Sequence, residues 1–198
     1  MIRSIFTLFA GCVLIILSTP TWAQEDQSLG CLKTGYSAEE QIKLDALLPE
    51  FDALGESAVE EDLVAIVYDA VTRCSETEDW SDKQVEMALM HEFGRISEIA
   101  FSNYGPLSGD EIAGINSALA KGNRSEIWAT IEKQVETEIN GTDEELTNAA
   151  DKRGEILLGL FAFEVGLADD LKKAELLGVF LSFKAMQRWA TREFEAQK

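Results

Sequence analysis

Six times along the chain a small polar residue stands three positions ahead of an acid or amide, at the head of an apolar run. The pairs are Ser37 and Glu40, Ser57 and Glu60, Ser81 and Gln84, Ser108 and Glu111, Asn123 and Glu126, and Thr142 and Glu145. Each suits a helix start. The small side chain accepts from an orphan backbone N–H, and the residue three further on reaches back to another. Alternation of β-branched residues between turns is absent from the sequence. The expected fold is therefore all-α, a compact single-domain bundle of about seven helices, mostly antiparallel neighbours because their connections are short.

Apolar spacing predicts where these helices lie and which way they face. The first, over 37–55, should bury Leu44, Leu47, Leu48, Phe51 and Leu54, with a kink or break at Pro49. The second, over 58–75, carries Leu63, Ile66, Val67, Ala70, Val71 and Cys74 on one face. The third, over 82–103, turns Val85, Leu89, Phe93, Ile96 and Ala100 inward and stops at Asn103-Tyr-Gly-Pro106. A shorter helix over 110–121 presents Ile112, Ile115 and Leu119, and a fifth over 124–139 presents Ile127, Trp128, Ile131, Val135 and Ile139. The sixth starts at Asp143, and the seventh runs from about Asp169 to a frayed end.

Gly154 to Trp189 is the most apolar part of the folded chain. Gly154 to Ala168 and Leu176 to Met186 are greasy around most of a helix circumference, which is typical of a central helix. Both are shorter than the roughly 20 apolar residues that span a bilayer. The expectation is a buried C-terminal hairpin with Leu160 and Phe180 inside it. Gly154, Gly159, Gly166 and Gly178 would let its helices approach closely, or leave room for a ligand.

The amino terminus has the anatomy of an export signal. Arg3 precedes an apolar core, Ile5 to Leu17, and Thr21 and Ala23 suit cleavage before Gln24. Phe9-Ala-Gly-Cys12 resembles a lipid-attachment box, but the apolar run continues past the cysteine. The expected organisation is a cleavable signal at 1–23, a polar leader at 24–36 and a helical domain at 37–198. The expected location is the periplasm, with the extracellular space as the alternative. Cys31 and Cys74 remain after cleavage, an even count that predicts a disulfide in an exported chain.

The formal net charge is −19, and removing the signal takes away one cation and no acid. Nucleic-acid binding is disfavoured, because phosphate recognition rests on clustered Lys and Arg. No membrane anchor remains after cleavage. A protein partner, perhaps a basic one in view of the charge, is the interaction left open.

Motifs for catalysis and metal binding fall short. The chain has one histidine, His91. His91-Glu92 begins like a zinc-protease box, but Arg95 stands where the second histidine belongs. A di-iron bundle, covalent haem and an EF-hand each need residues that are missing. No metal, cofactor or catalytic residue is assigned. The two residues worth locating are His91, expected to face solvent, and Glu164. Glu164 interrupts the apolar run; it is either a buried carboxylate or a surface acid met by Lys172 or Lys173. Asn123-Arg-Ser125 and Asn140-Gly-Thr142 match the glycosylation pattern, but helix ends explain both asparagines. Three readings follow. The first is a non-catalytic envelope protein whose acidic helical surface binds a protein. The second is a binder of a small apolar ligand or lipid tail, with a cavity beside the hairpin. The third is an enzyme that uses His91.

Overall fold

The computed structural model describes residues 29–50, 59–141 and 152–197. Among these are seven α-helices and no strand: α1 Ala38–Leu47, α2 Val59–Glu78, α3 Asp82–Tyr104, α4 Gly109–Leu119, α5 Ser125–Asn140, α6 Lys152–Glu164 and α7 Leu171–Glu195. Short 3-10 turns cover Gly30–Lys33 and Leu48–Glu50. The all-helical bundle is as expected. The signal, the lipid box, Phe51, Leu54 and the starts at Ser57 and Thr142 lie outside the described residues.

Capping boxes close the starts of α1, α3 and α4. Ser37, Ser81 and Ser108 each accept from the backbone N–H three residues on, and Glu40, Gln84 and Glu111 each reach back to the cap. Asn123 behaves differently. Arg124 occupies the cap position of α5, while Asn123 Oδ1 accepts from Ser125 N at 2.9 Å, a local turn rather than a cap. Pro49 acts as expected. α1 ends at Leu47, and the chain tightens into the 3-10 turn that contains the proline.

The expected faces of α2, α4 and α5 are buried: Leu63 to Cys74 on α2, Ile112, Ile115 and Leu119 on α4, and Ile127, Trp128, Ile131 and Val135 on α5. α3 departs from expectation. Its most buried residues are Met87, Ala88, Glu92, Gly94, Ile96, Ala100 and Phe101, whereas Val85, Leu89 and Phe93 are half-buried. The reason is that α3 packs against α2 on one side and α7 on another, so its buried arc exceeds one amphipathic stripe.

The centre of the bundle is the pairing of α3 with α7, and this corrects the expected hairpin. α7 fits it: Phe180, Leu181, Ala185, Ala190 and Phe194 are fully buried. α6 does not. It lies at the edge against α5 and α7, burying Gly154, Phe161 and Ala162 and exposing Leu160 by 62%. A helix that is apolar all round wants cover on every side, but its sequence does not say that this chain supplies that cover.

Backbone proximity makes the α3–α7 pairing tight. A Cβ on Gly94 would lie 2.8 Å from Phe183 O and 3.0 Å from Gln187 Cγ, so a side chain there would push the helices apart. Of the hairpin glycines, only Gly154 has this role, with Thr130 Cγ2 at 2.7 Å; Gly159 and Gly178 face open space. Gly166 instead ends α6 at φ +75°. Its N–H donates to Phe163 O, and that of Leu167 donates to Ala162 O at 2.8 Å, a closure that glycine adopts at little cost.

Charged pairs tie α3, α4 and α5 to α7. Lys184 donates to Glu98 at 2.5 Å, Arg188 and Arg192 both meet Glu132 on α5, and Lys173 meets Glu111 at 2.5 Å. Lys173 and the Ser108 cap hold the Glu111 carboxyl down at about 2.

Candidate functional site

Residues 29–36 do not stand off as a polar leader. Leu29 and Leu32 are buried in the core, and Cys31 is bonded to Cys74 with 5.8 Å between Cα atoms. Arg73 holds this strap from α2, donating twice to Gly35 O, at 3.2 Å from Nε and 2.7 Å from Nη2.

The strap delivers Tyr36 to a buried carboxylate, Glu92. Tyr36 Oη donates to Glu92 Oε1 at 2.6 Å. Arg95 Nε donates to both oxygens at 3.0 and 2.9 Å, and its Nη2 donates to Oε1 as well. Glu92 is 0% exposed, so these bonds replace the water it would otherwise hold. Sequence reading passed Glu92 over as half of a failed metal motif. A signal was available, because Ala88, Glu92 and Ile96 share one face at intervals of four.

Burial, and then the neighbouring Glu92 carboxylate, pushes the Tyr36 phenol far above its ordinary value. Tyr36 is thus a fixed neutral donor. In the unfolded chain the phenol ionises near pH 10, as a model tyrosine does. Its contribution to stability is therefore complete below pH 10 and falls as pH rises further. Urea midpoints taken between about pH 9 and 11 should drop more for the wild type than for Tyr36→Phe. Parallel curves would show that Tyr36 is not the group responsible.

His91 is half-buried rather than solvent-facing, with Nδ1 4.0 Å from Glu92 Oε2. It sits on the α3 surface that also carries Met87 and Gly94, which turned out to be inner positions. Glu164 is a surface carboxylate. Its partner is neither Lys172 nor Lys173 but Arg124, at 2.5 Å. Arg124 also donates to Ala118 O at 3.1 and 3.0 Å, and its guanidinium lies 5.4 Å from the centre of the Phe161 ring. One side chain therefore joins the ends of α4 and α6 at the start of α5.

Beside this ion pair is a recess of about 350 Å³. It is lined by Ile127, Leu157, Leu160 and Phe161, with Arg124 and Glu164 among its polar neighbours. Leu160 forms part of its wall and also belongs to the outer face of α6. That face carries Ile156, Leu160 and Phe163 at intervals of four and three, exposed by 62%, 62% and 76%. The three span about 10 Å along the axis at 1.5 Å per residue. Leu171, past the turn, is 80% exposed.

A second recess, of about 310 Å³, lies where α7 meets α3, α4 and α5. It is lined by Glu98, Asn116, Trp128, Lys184, Gln187 and Arg188, with Arg188 stacked over Trp128 at 4.6 Å. Glu98 is occupied there by Lys184 and by Gln187, whose amide donates at 2.7 Å. No group of three or more His, Cys, Asp or Glu among the described residues is placed to hold a metal ion. No described helix is long and apolar enough to cross a membrane.

No family model, curated protein or solved structure matches the chain.

Proposed function

We propose that the protein is an exported, non-catalytic binding module that engages another protein through the outer face of α6. One observation carries this reading: Ile156, Leu160 and Phe163 line up on one face of a helix and are all exposed. Single exposed apolar residues are ordinary, but a continuous row beside a recess is what an interface core looks like before its partner arrives. Export is supported by the signal-like anatomy of residues 1–23 and by the Cys31–Cys74 disulfide, a bond that persists in oxidising compartments. The periplasm is the preferred location.

The other two readings have less to rest on. A lipid-tail binder calls for an enclosed apolar cavity, whereas both recesses are partly walled by charged side chains. An enzyme using His91 calls for that residue in a cleft, and it lines neither recess.

A photo-crosslinking side chain placed at Phe163 should join the protein to a discrete partner when the oxidised protein is mixed with envelope extract. The same group placed at Ile42, exposed on α1, should not. Equal crosslinking from both positions, or none from Phe163, would remove α6 as the interface.

A further inference from the structure

The recess where α7 meets α3, α4 and α5 holds one cation that is fixed in place yet only partly used. We infer that this recess binds a carboxylate carried on a short apolar body, with the Arg188 guanidinium as its anchor. The site lies away from α6 and does not depend on the protein-binding reading of that helix.

Arg188 is held on two sides. Its Nε donates to Glu132 Oε1 at 2.8 Å, and its guanidinium lies 4.6 Å from the centre of the Trp128 ring. Glu132 is fixed in turn, because its other oxygen accepts from Arg192 Nη1. Among the described residues the two terminal nitrogens of Arg188 donate to nothing. An arginine usually gives up rotamer freedom when it takes an anion; here the ordering is already done. Two η nitrogens in one plane match the two oxygens of a carboxylate.

The rest of the wall narrows the choice. Glu98 is the acid that lines it, and both its oxygens already accept, Oε1 from Lys184 at 2.5 Å and Oε2 from the Gln187 amide at 2.7 Å. Trp128 is 6% exposed, and its Nε1–H has no hydrogen-bond partner among the described residues. Unused donors are in excess, which favours an anion over a cation. Glu98 and the net charge of −19 oppose a dianion more than a monoanion. At about 310 Å³ the recess is at the small end for ligand sites, and Leu119, Ala120 and Trp128 supply its apolar part. The charged wall that turns away a lipid tail is what selects a small acid.

The test titrates phenylacetate into the oxidised, nitrogen-15-labelled protein and follows the Trp128 indole and Gln187 amide signals. Both should move and saturate. Phenylacetamide has the same shape without the charge and should bind at least about tenfold more weakly. Arg188→Gln leaves Glu132 its bond from Arg192 and should weaken phenylacetate by about tenfold or more. Arg188→Lys keeps the charge, loses the fork and should weaken it as well. Ala120→Phe fills the recess from an exposed position, breaks no ion pair and should abolish binding. Lys43→Gln on α1 should change nothing. N-acetylphenylalanine presents its carboxylate as the end of a polypeptide does. Tighter binding of it than of phenylacetate assigns the site to chain ends, and weaker binding assigns it to free acids.

Equal binding of phenylacetate and phenylacetamide overturns the inference. So do tighter binding of phenyl phosphate, signals that move without saturating, and a folded Arg188→Gln variant with unchanged affinity. If Arg188→Gln does not fold, Ala120→Phe decides, because unchanged affinity there also overturns it. Crosslinking from Phe163 is untouched by any of these results, so the two readings stand or fall separately.

Discussion

Replacing Phe180 with alanine should cost about 3–5 kcal/mol, the range for removing a fully buried phenylalanine. The ring is 0% exposed. It lies 5.7 Å from the Phe101 ring across the α3–α7 contact, with the Lys184 ammonium 5.1 Å from its centroid. For a domain of this size each kcal/mol shifts the melting temperature by about 2–4 °C, so a drop of about 6–20 °C is expected. Phe163→Ala is the matched control. It deletes the same atoms from a residue that is 76% exposed, and it should stay within about 0.5 kcal/mol of the wild type. Comparable losses from the two would mean that α6 is as central as α7, contrary to the arrangement described above.

Removing the Cys31–Cys74 crosslink should cost about 3–4 kcal/mol, from the chain entropy released by opening a loop with a sequence separation of 43. The loss should begin in one place. Without the bond, the strap still has Leu29 and Leu32 in the core, Arg73 on Gly35 O, and the Tyr36–Glu92 hydrogen bond among its holds. Hydrogen exchange in the Cys31→Ala/Cys74→Ala variant should therefore speed up first in residues 29–36 and next around Glu92. A uniform increase across all helices would mean that the strap and the bundle open as one unit. A cost under about 1 kcal/mol would mean that the non-covalent contacts suffice.

Much of this architecture was legible in the residues, and the exceptions have physical causes. The inward face of α2 was read correctly, though the helix runs on to Glu78, because it is covered on one side and its apolar spacing reports that side. α3 was misread because it is covered on two. A buried glutamate and a buried glycine then count as inner positions, and neither scores as apolar. Arg124 was missed because its importance lies in reach. From a cap position it touches Ala118, Phe161 and Glu164, and none of those contacts leaves a mark in local spacing. The disulfide was legible because an expected signal over 1–23 would take Cys12 with it and leave Cys31 and Cys74 to pair. The exposure of α6 was not legible, since hydrophobicity shows that a surface wants cover but not which molecule provides it.

The pairing of α3 with α7 also governs the order of events during synthesis. Glu98 finds its partners 86 and 89 residues downstream, in α7. Contacts this distant in sequence slow folding, because a long segment must be gathered before they form. A chain delivered amino terminus first presents the strap, α2 and α3 long before their cover arrives. Cys31 and Cys74 can join in that interval, while the other side of α3 waits bare for α7. The nascent protein is therefore most prone to sticking just before α7 is released, and a truncation within α7 would leave it in that condition.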